Sequence, residues 1–199
     1  MGPTESGERH ADDGVPLARF ADTILVVCPR CGGRASVVQR PGLPELRYAT
    51  DLLVWSRRLV CAGCGRTDDW RAGRRGSGAV GVVLGGTEEP FFGRPLWLQV
   101  PCAGRVLWAY NDRHVTALEE YVAARLREHG APYSSTRAMF PRLPAWVKSA
   151  AHRPAVLKGL AELHTLAGRS APADRSAAAH AHGDRPRPYG SLHFVRGTD

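Results

Sequence analysis

Lysine is almost missing from this 199-residue chain: of 27 basic residues only Lys148 and Lys158 are lysine, and the other 25 are arginine. Long apolar runs are missing too. The longest, around residues 24–28 and 79–84, fall far short of the roughly 20 residues a membrane-crossing helix needs, so no transmembrane helix is expected. The first residues carry Glu5, Glu8, Asp12 and Asp13 and no apolar h-region, which argues against a secretory signal. These absences predict a cytoplasmic protein whose five cysteines are thiols or metal ligands rather than disulfides.

The signatures of catalysis are absent as well. The chain has no G-x-x-x-x-G-K-[ST], no H-E-x-x-H, and no Ser-His-Asp set or local pair of acids that stands out, so it is expected not to be an enzyme and to use no nucleotide cofactor. Gly76, Gly78 and Gly81 match G-x-G-x-x-G, but a basic loop precedes them and Val82, Val83 and Leu84 follow. A dinucleotide site needs a strand before that motif and a helix after it, so the match reads as a flexible connector.

What is present is a globular composition, 43% hydrophobic and 23% charged, with a net charge of +8. The positive charge is unevenly spread. Residues 28–80 hold ten basic and four acidic side chains, whereas residues 1–27 hold two basic and five acidic. A basic region of this kind suits a polyanionic partner.

Organisation follows from the punctuation. The polar, unpatterned segment 1–20 reads as a disordered leader, and 168–199 as a disordered tail whose final SLHFVRG is apolar enough to dock. Between them, residues 21–75 form one unit and 76–167 a second region packed on it. Short β-rich runs cover residues 23–28, 35–40, 46–50, 53–60 and 79–84. LWLQVPCAGRVLWAYN then reads as a hairpin turning through residues 101–104, with Trp97, Leu98, Val100, Val106, Leu107 and Trp108 making it apolar on both faces.

Helical period begins at Asn111 or Asp112, either of which can act as N-cap. Val115, Leu118, Val122 and Leu126 follow on one face, and Gly130 and Pro132 end the helix. Pro144 opens a short second helix through Trp146 and Val147. Pro154 opens a third with Val156, Leu157, Leu160 and Leu163, stopped by Gly168. Strands first and helices after make an α+β fold, with an antiparallel N-terminal β unit, a hairpin and about three helices.

The chemistry lies in the cysteines, arranged Cys28-x2-Cys31-x29-Cys61-x2-Cys64. Two residues between cysteines let one tight turn aim both sulfurs at one ion, and backbone N–H groups in that turn can donate to the thiolates. Gly32, Gly33 and Gly65 trail the pairs and supply the freedom the chain needs to leave such a turn. Four thiolates in a tetrahedron suit one structural Zn2+ and leave no open position for water or substrate; a rubredoxin-type iron centre is the alternative. Cys102 has no partner at metal spacing and reads as a small buried thiol.

VVCPRCGG together with RLVCAGCG resembles the transcription-factor-IIB-type zinc ribbon. FFGRPLWLQVPCAGRVLWAYNDRHVTALEEYVAARLRE and RLPAWVKSA resemble a bacterial family of small proteins named only for that ribbon, and the resemblance covers about residues 23–167. It implies Cys28, Cys31, Cys61 and Cys64 as ligands and nothing catalytic. As a class the ribbon implies contact with nucleic acid or the transcription machinery. Some similar ribbon proteins carry a replication-restart helicase label, for which this chain lacks the nucleotide-binding motif.

The candidate nucleic-acid surface is Arg57, Arg58, Arg66, Arg71, Arg74 and Arg75, interleaved with Tyr48, Trp55 and Trp70. Arginine grips phosphates bidentately and an exposed aromatic stacks a base, so DNA or RNA is the first expected partner. The alternative is a protein–protein interaction adaptor in which the zinc is purely structural. His114 and His129 read as surface groups at the two ends of the first helix, and His180 and His182 as solvated tail residues.

Overall fold

The computed structural model describes residues 9–12, 14–42, 49–124, 126–129, 138–181 and 193–195. In chain order these form strands Arg9–Asp12 (β1), Thr23–Val27 (β2), Arg34–Gln39 (β3), Arg57–Val60 (β4), Thr67–Trp70 (β5), Arg74–Arg75 (β6), Gly78–Gly81 (β7), Gln99–Cys102 (β8) and Arg105–Trp108 (β9). Helix Asp112–Ala123 (α1), strand Leu126–His129 (β10), helices Ala145–Lys148 (α2), Arg153–Ala167 (α3) and Ala177–Ala181 (α4), and strand His193–Val195 (β11) follow. The fold is α+β in the expected order, antiparallel strands in the N-terminal half and helices after them.

Strands β2 to β5 form one antiparallel sheet in sequence order. Period-two alternation explains its two faces. Ile24, Val37 and Leu59 lie in one cross-strand row, fully buried, while Leu25, Ser36 and Val60 form an outward row. The edge formed by β2 is not left open. Val27 N donates to Pro95 O (2.9 Å), Trp97 N to Leu25 O (2.9 Å) and Leu25 N to Tyr110 O (2.8 Å), so the two legs of the β8–β9 hairpin are bonded onto the sheet. The ribbon and the hairpin therefore share one hydrophobic core.

The hairpin turns on Ala103 and Gly104, both at positive φ (49° and 71°), as a two-residue primed turn requires. α3 packs against the β8–β9 pair at Gly159, where an added Cβ would stand 3.0 Å from a Leu107 methyl and 3.7 Å from Cys102 Sγ. Cys102 is buried, its thiol donates to Ala155 O (3.5 Å), and burial pushes its pKa up. It is an inert packing group, as its isolation in sequence suggests.

Asn111 caps α1, its side-chain oxygen accepting from His114 N (2.9 Å) while its amide donates to Phe20 O and Thr23 O (2.8 and 2.7 Å). The helix ends at Ala123, short of the expected Gly130. Ala124 is extended (ψ 131°), and Leu126, read as the last apolar helical position, opens β10, which pairs in parallel with β1. The pairing partner lies more than a hundred residues upstream, beyond the reach of any helical window.

His164 of α3 lies between Asp112 (2.6 Å) and Glu119 (3.1 Å) of α1; burial opposes its charge, but the two carboxylates prevail and raise its pKa.

Other differences are local. Of the strand expected over 53–60 only β4 forms, because Ala49–Leu53 closes a 3-10 turn whose Asp51 O accepts from Val54 N and Trp55 N. Residues 46–48 of the expected strand 46–50, Gly130, Pro132 and His182 lie outside the described residues. The stretch 67–70, not read as a strand, is β5. The expected run at 79–84 is strand over Gly78–Gly81, paired with both β6 and β11, so the apolar end of the chain does meet a partner.

Residues 14–20 pack as well, with Met139 N donating to Val15 O (2.9 Å) and the Phe20 ring stacked on His114 at 4.8 Å. Past Gly168 the chain runs through a 3-10 turn, Pro172–Asp174, into α4, where Ala178 and Ala179 are buried.

Candidate metal centre

Two turns of one design build the centre. In the first, Cys28 N donates to Gly33 O (2.7 Å) and Gly32 N to Cys28 O (3.0 Å). In the second, Cys61 N donates to Arg66 O (2.9 Å) and Gly65 N to Cys61 O (2.9 Å). Gly32 and Gly65 occupy corresponding places at φ 75° and 71°, a left-handed conformation that a side chain opposes. Cys28 directly follows β2 and Cys61 directly follows β4, so the sheet brings both turns to the same end.

All four sulfurs lie within 4.8 Å of one another, with Cys28 Sγ 3.6 Å from Cys64 Sγ and Cys31 Sγ 3.7 Å from Cys61 Sγ. A tetrahedron with metal–sulfur bonds of about 2.3 Å has edges of about 3.8 Å, so these two opposite edges match a tetrahedral site and the cluster as a whole is tight enough to hold one ion. Arg30 N points at Cys28 Sγ (3.4 Å), the donor a thiolate ligand calls for. Arg30 Nη1 also reaches Cys64 O (3.4 Å), tying the first turn to the second.

Burial pushes the Cys28 thiol up, but backbone N–H groups of Cys31 and Arg30 and the neighbouring sulfurs bring it down to about 7. At Cys61 burial prevails and the pKa rises to about 12. The cluster thus holds one thiol that ionises more readily than an ordinary cysteine and one that resists ionisation. Four sulfurs fill a tetrahedral sphere, and soft thiolates select zinc or iron over magnesium or calcium.

The six arginines expected to face nucleic acid divide into three kinds. Arg57 must be withdrawn from that surface. It is fully buried, donating to Asp22 O (3.2 Å) and Leu52 O (3.0 Å) with its guanidinium 4.6 Å above the centre of the Phe91 ring. Burial lowers its pKa to about 10 against the pull of Glu89 and Asp22. The signal was in the alternation, since Arg57 shares a face with Leu59.

Glu89, which the sequence did not single out, is its buried counter-charge. It accepts from Phe91 N (2.5 Å) and Phe92 N (2.9 Å), and burial raises its pKa to about 7 despite those bonds.

Arg58 and Arg66 carry acidic partners. Arg58 holds Asp69 bidentately (2.8 and 3.0 Å), and Arg66 holds Asp68 (2.6 and 3.2 Å). Arg71, Arg74 and Arg75 are exposed, before and within β6. Trp55 and Trp70 are half-buried, Trp70 edge-on to Phe91 at 4.9 Å, and Tyr48 lies outside the described residues.

His114, expected at the surface, is buried among Phe20, Trp108 and Tyr110, and its Nδ1 accepts from Tyr110 N (3.2 Å). Burial lowers its pKa to about 3, so it is a neutral core ring. Its spacing with Leu118 and Tyr121 carries that signal, i, i+4 and i+7 on the buried face of α1.

No protein-family model matches the chain, and no curated protein or solved structure matches it either.

Proposed function

We propose that this is a non-enzymatic zinc-ribbon protein of the transcription-factor-IIB type, cytoplasmic, in which one structural Zn2+ on Cys28, Cys31, Cys61 and Cys64 holds up a basic surface for DNA or RNA in transcription or replication. The observation that carries the metal half is the four-sulfur cluster, all sulfurs within 4.8 Å and two opposite edges of 3.6 and 3.7 Å. Its closed sphere favours support over chemistry. The nucleic-acid half rests on Arg71, Arg74 and Arg75, exposed together just beyond the ribbon sheet. Guanidinium forks suit phosphate oxygens, and three in so short a stretch follow a backbone well.

A protein–protein adaptor is the second reading. It draws support from Arg58 and Arg66 being matched by aspartates, and from Val60 standing 37% exposed on the outward face of the sheet. Titrating the zinc-loaded protein with duplex DNA, single-stranded DNA and RNA at several salt concentrations separates the two. Nucleic-acid binding predicts affinity that falls steeply with salt, and a slope shallower by up to about three when Arg71, Arg74 and Arg75 become alanine. Absence of salt-sensitive binding would sink the nucleic-acid reading and leave the adaptor.

A further inference from the structure

The first cysteine turn is roofed by a distant piece of the chain. Ser170 O accepts from Arg34 N (3.0 Å), the Arg34 guanidinium donates to Ala167 O, and Pro172 and Arg175 lie over Gly32. The approach is so close that a Cβ on Gly33 would stand 2.8 Å from Ser170 O, although Gly33 has an ordinary φ and needs no glycine for its backbone. Gly33 is therefore a seat rather than a hinge.

The segment over it has its own shape. Asp174 accepts from Ala171 N (3.0 Å) and faces Arg169 at 3.7 Å, and beyond it the buried Ala178 and Ala179 anchor the chain against β8. A groove lined by Arg34, Ser36, Val60, Ala62, Gly63 and Ser170 separates this segment from the second cysteine turn, which it does not cover.

We propose that residues 168–176 are a strap whose seating is coupled to the metal: the metal-shaped first turn forms the strap's seat, and the seated strap holds that turn in its metal-binding shape. The inference rests on the zinc reading above. Coupling of this kind is reciprocal, so whatever factor the strap adds to zinc affinity, zinc adds to strap seating. Loss of the metal then frees the C-terminal segment from the ribbon, which makes that segment a reporter of metal occupancy.

The test uses the full-length, zinc-loaded chain and two variants that replace no ligand; because a Cβ at Gly33 would also stand 3.6 Å from Cys31 Sγ, the zinc affinity of Asp174→Ala, which acts away from the sulfurs, decides the coupling. Gly33→Ala pushes directly on Ser170 O, and Asp174→Ala removes the bond and the ion pair that shape the strap. Gly63→Ala, whose Cβ would meet only Cys61 Sγ at 3.9 Å, is the control in the uncovered turn. Hydrogen exchange at the Arg34 amide reads strap seating, amides of β3 and β4 read the ribbon fold, and competition with a chromogenic chelator reads zinc affinity.

Both strap variants should raise Arg34 exchange while the sheet stays protected. They should also weaken zinc binding by roughly fivefold or more, the lower end of typical site-to-site coupling. Gly63→Ala should match the parent. A strap that lifts with no change in zinc affinity would overturn the coupling, and an Arg34 amide unchanged in both variants would overturn the seat. A parent chain that binds no zinc would instead overturn the metal reading itself.

Discussion

The two cysteine turns share one design and differ in what surrounds them. Each has the same pair of backbone hydrogen bonds and the same left-handed glycine behind its second cysteine. The first is roofed by residues 170–175, and Gly33 within it is buried. The second stands open: Ala62, Gly63 and Gly65 are exposed, and an added Cβ at Gly65 meets nothing within 4 Å. Local spacing thus builds the cage, whereas a segment more than a hundred residues away decides which half of it is covered.

The largest expected effect ignores that difference. Cys28→Ser in the roofed turn and Cys61→Ser in the open one should lose the metal alike and unfold the N-terminal half, seen as loss of bound zinc and of strand signal in circular dichroism. Structural zinc contributes about 10–16 kcal/mol of apparent binding energy in small sites, comparable to or above the whole stability of a typical domain. A serine variant that stays folded and metal-loaded would contradict the four-thiolate cage.

A smaller and equal pair of effects should follow from the glycines that close each turn. Gly32→Ala and Gly65→Ala each force a side chain into the left-handed region and should cost about 1–2 kcal/mol in urea unfolding of the zinc-loaded protein. The nearest strap atom to a Cβ at Gly32 is 3.8 Å away, ordinary contact distance, so the roof should add nothing there. Unequal costs would mean that the surroundings reach into the turn itself, and would break the equivalence that the hydrogen bonds suggest.

This contrast also marks what was legible in the sequence. The clustering of Cys28, Cys31, Cys61 and Cys64 was readable because a cysteine turn is a local object, specified by two cysteines and the glycine that follows. The α+β order and the Asn111 cap were readable for the same reason.

Gly33 looked like a second flexible residue, and its actual constraint, Ser170 O, enters only when the chain folds back on itself. Leu126 fitted the helical period, yet it went to a strand because Arg9–Asp12 offered a remote partner. Arg57 and His114 were misjudged by residue type. Strand alternation put Arg57 with Leu59, and helical spacing put His114 with Leu118, so pattern outweighed polarity at both positions; burial was tolerated because Leu52 O and Asp22 O receive the guanidinium and Tyr110 N bonds the imidazole.

The proposed function rests on Cys28, Cys31, Cys61 and Cys64 closing one four-sulfur zinc cage that supports surfaces rather than chemistry. X-ray absorption at the metal edge of the purified full-length protein tests it most directly. The expected result is one zinc per chain with four sulfurs at about 2.3 Å and no nitrogen or oxygen bound to it. A lighter ligand bound to the zinc, which would leave an exchangeable position at the metal, or a protein that purifies with no metal at all, would contradict it.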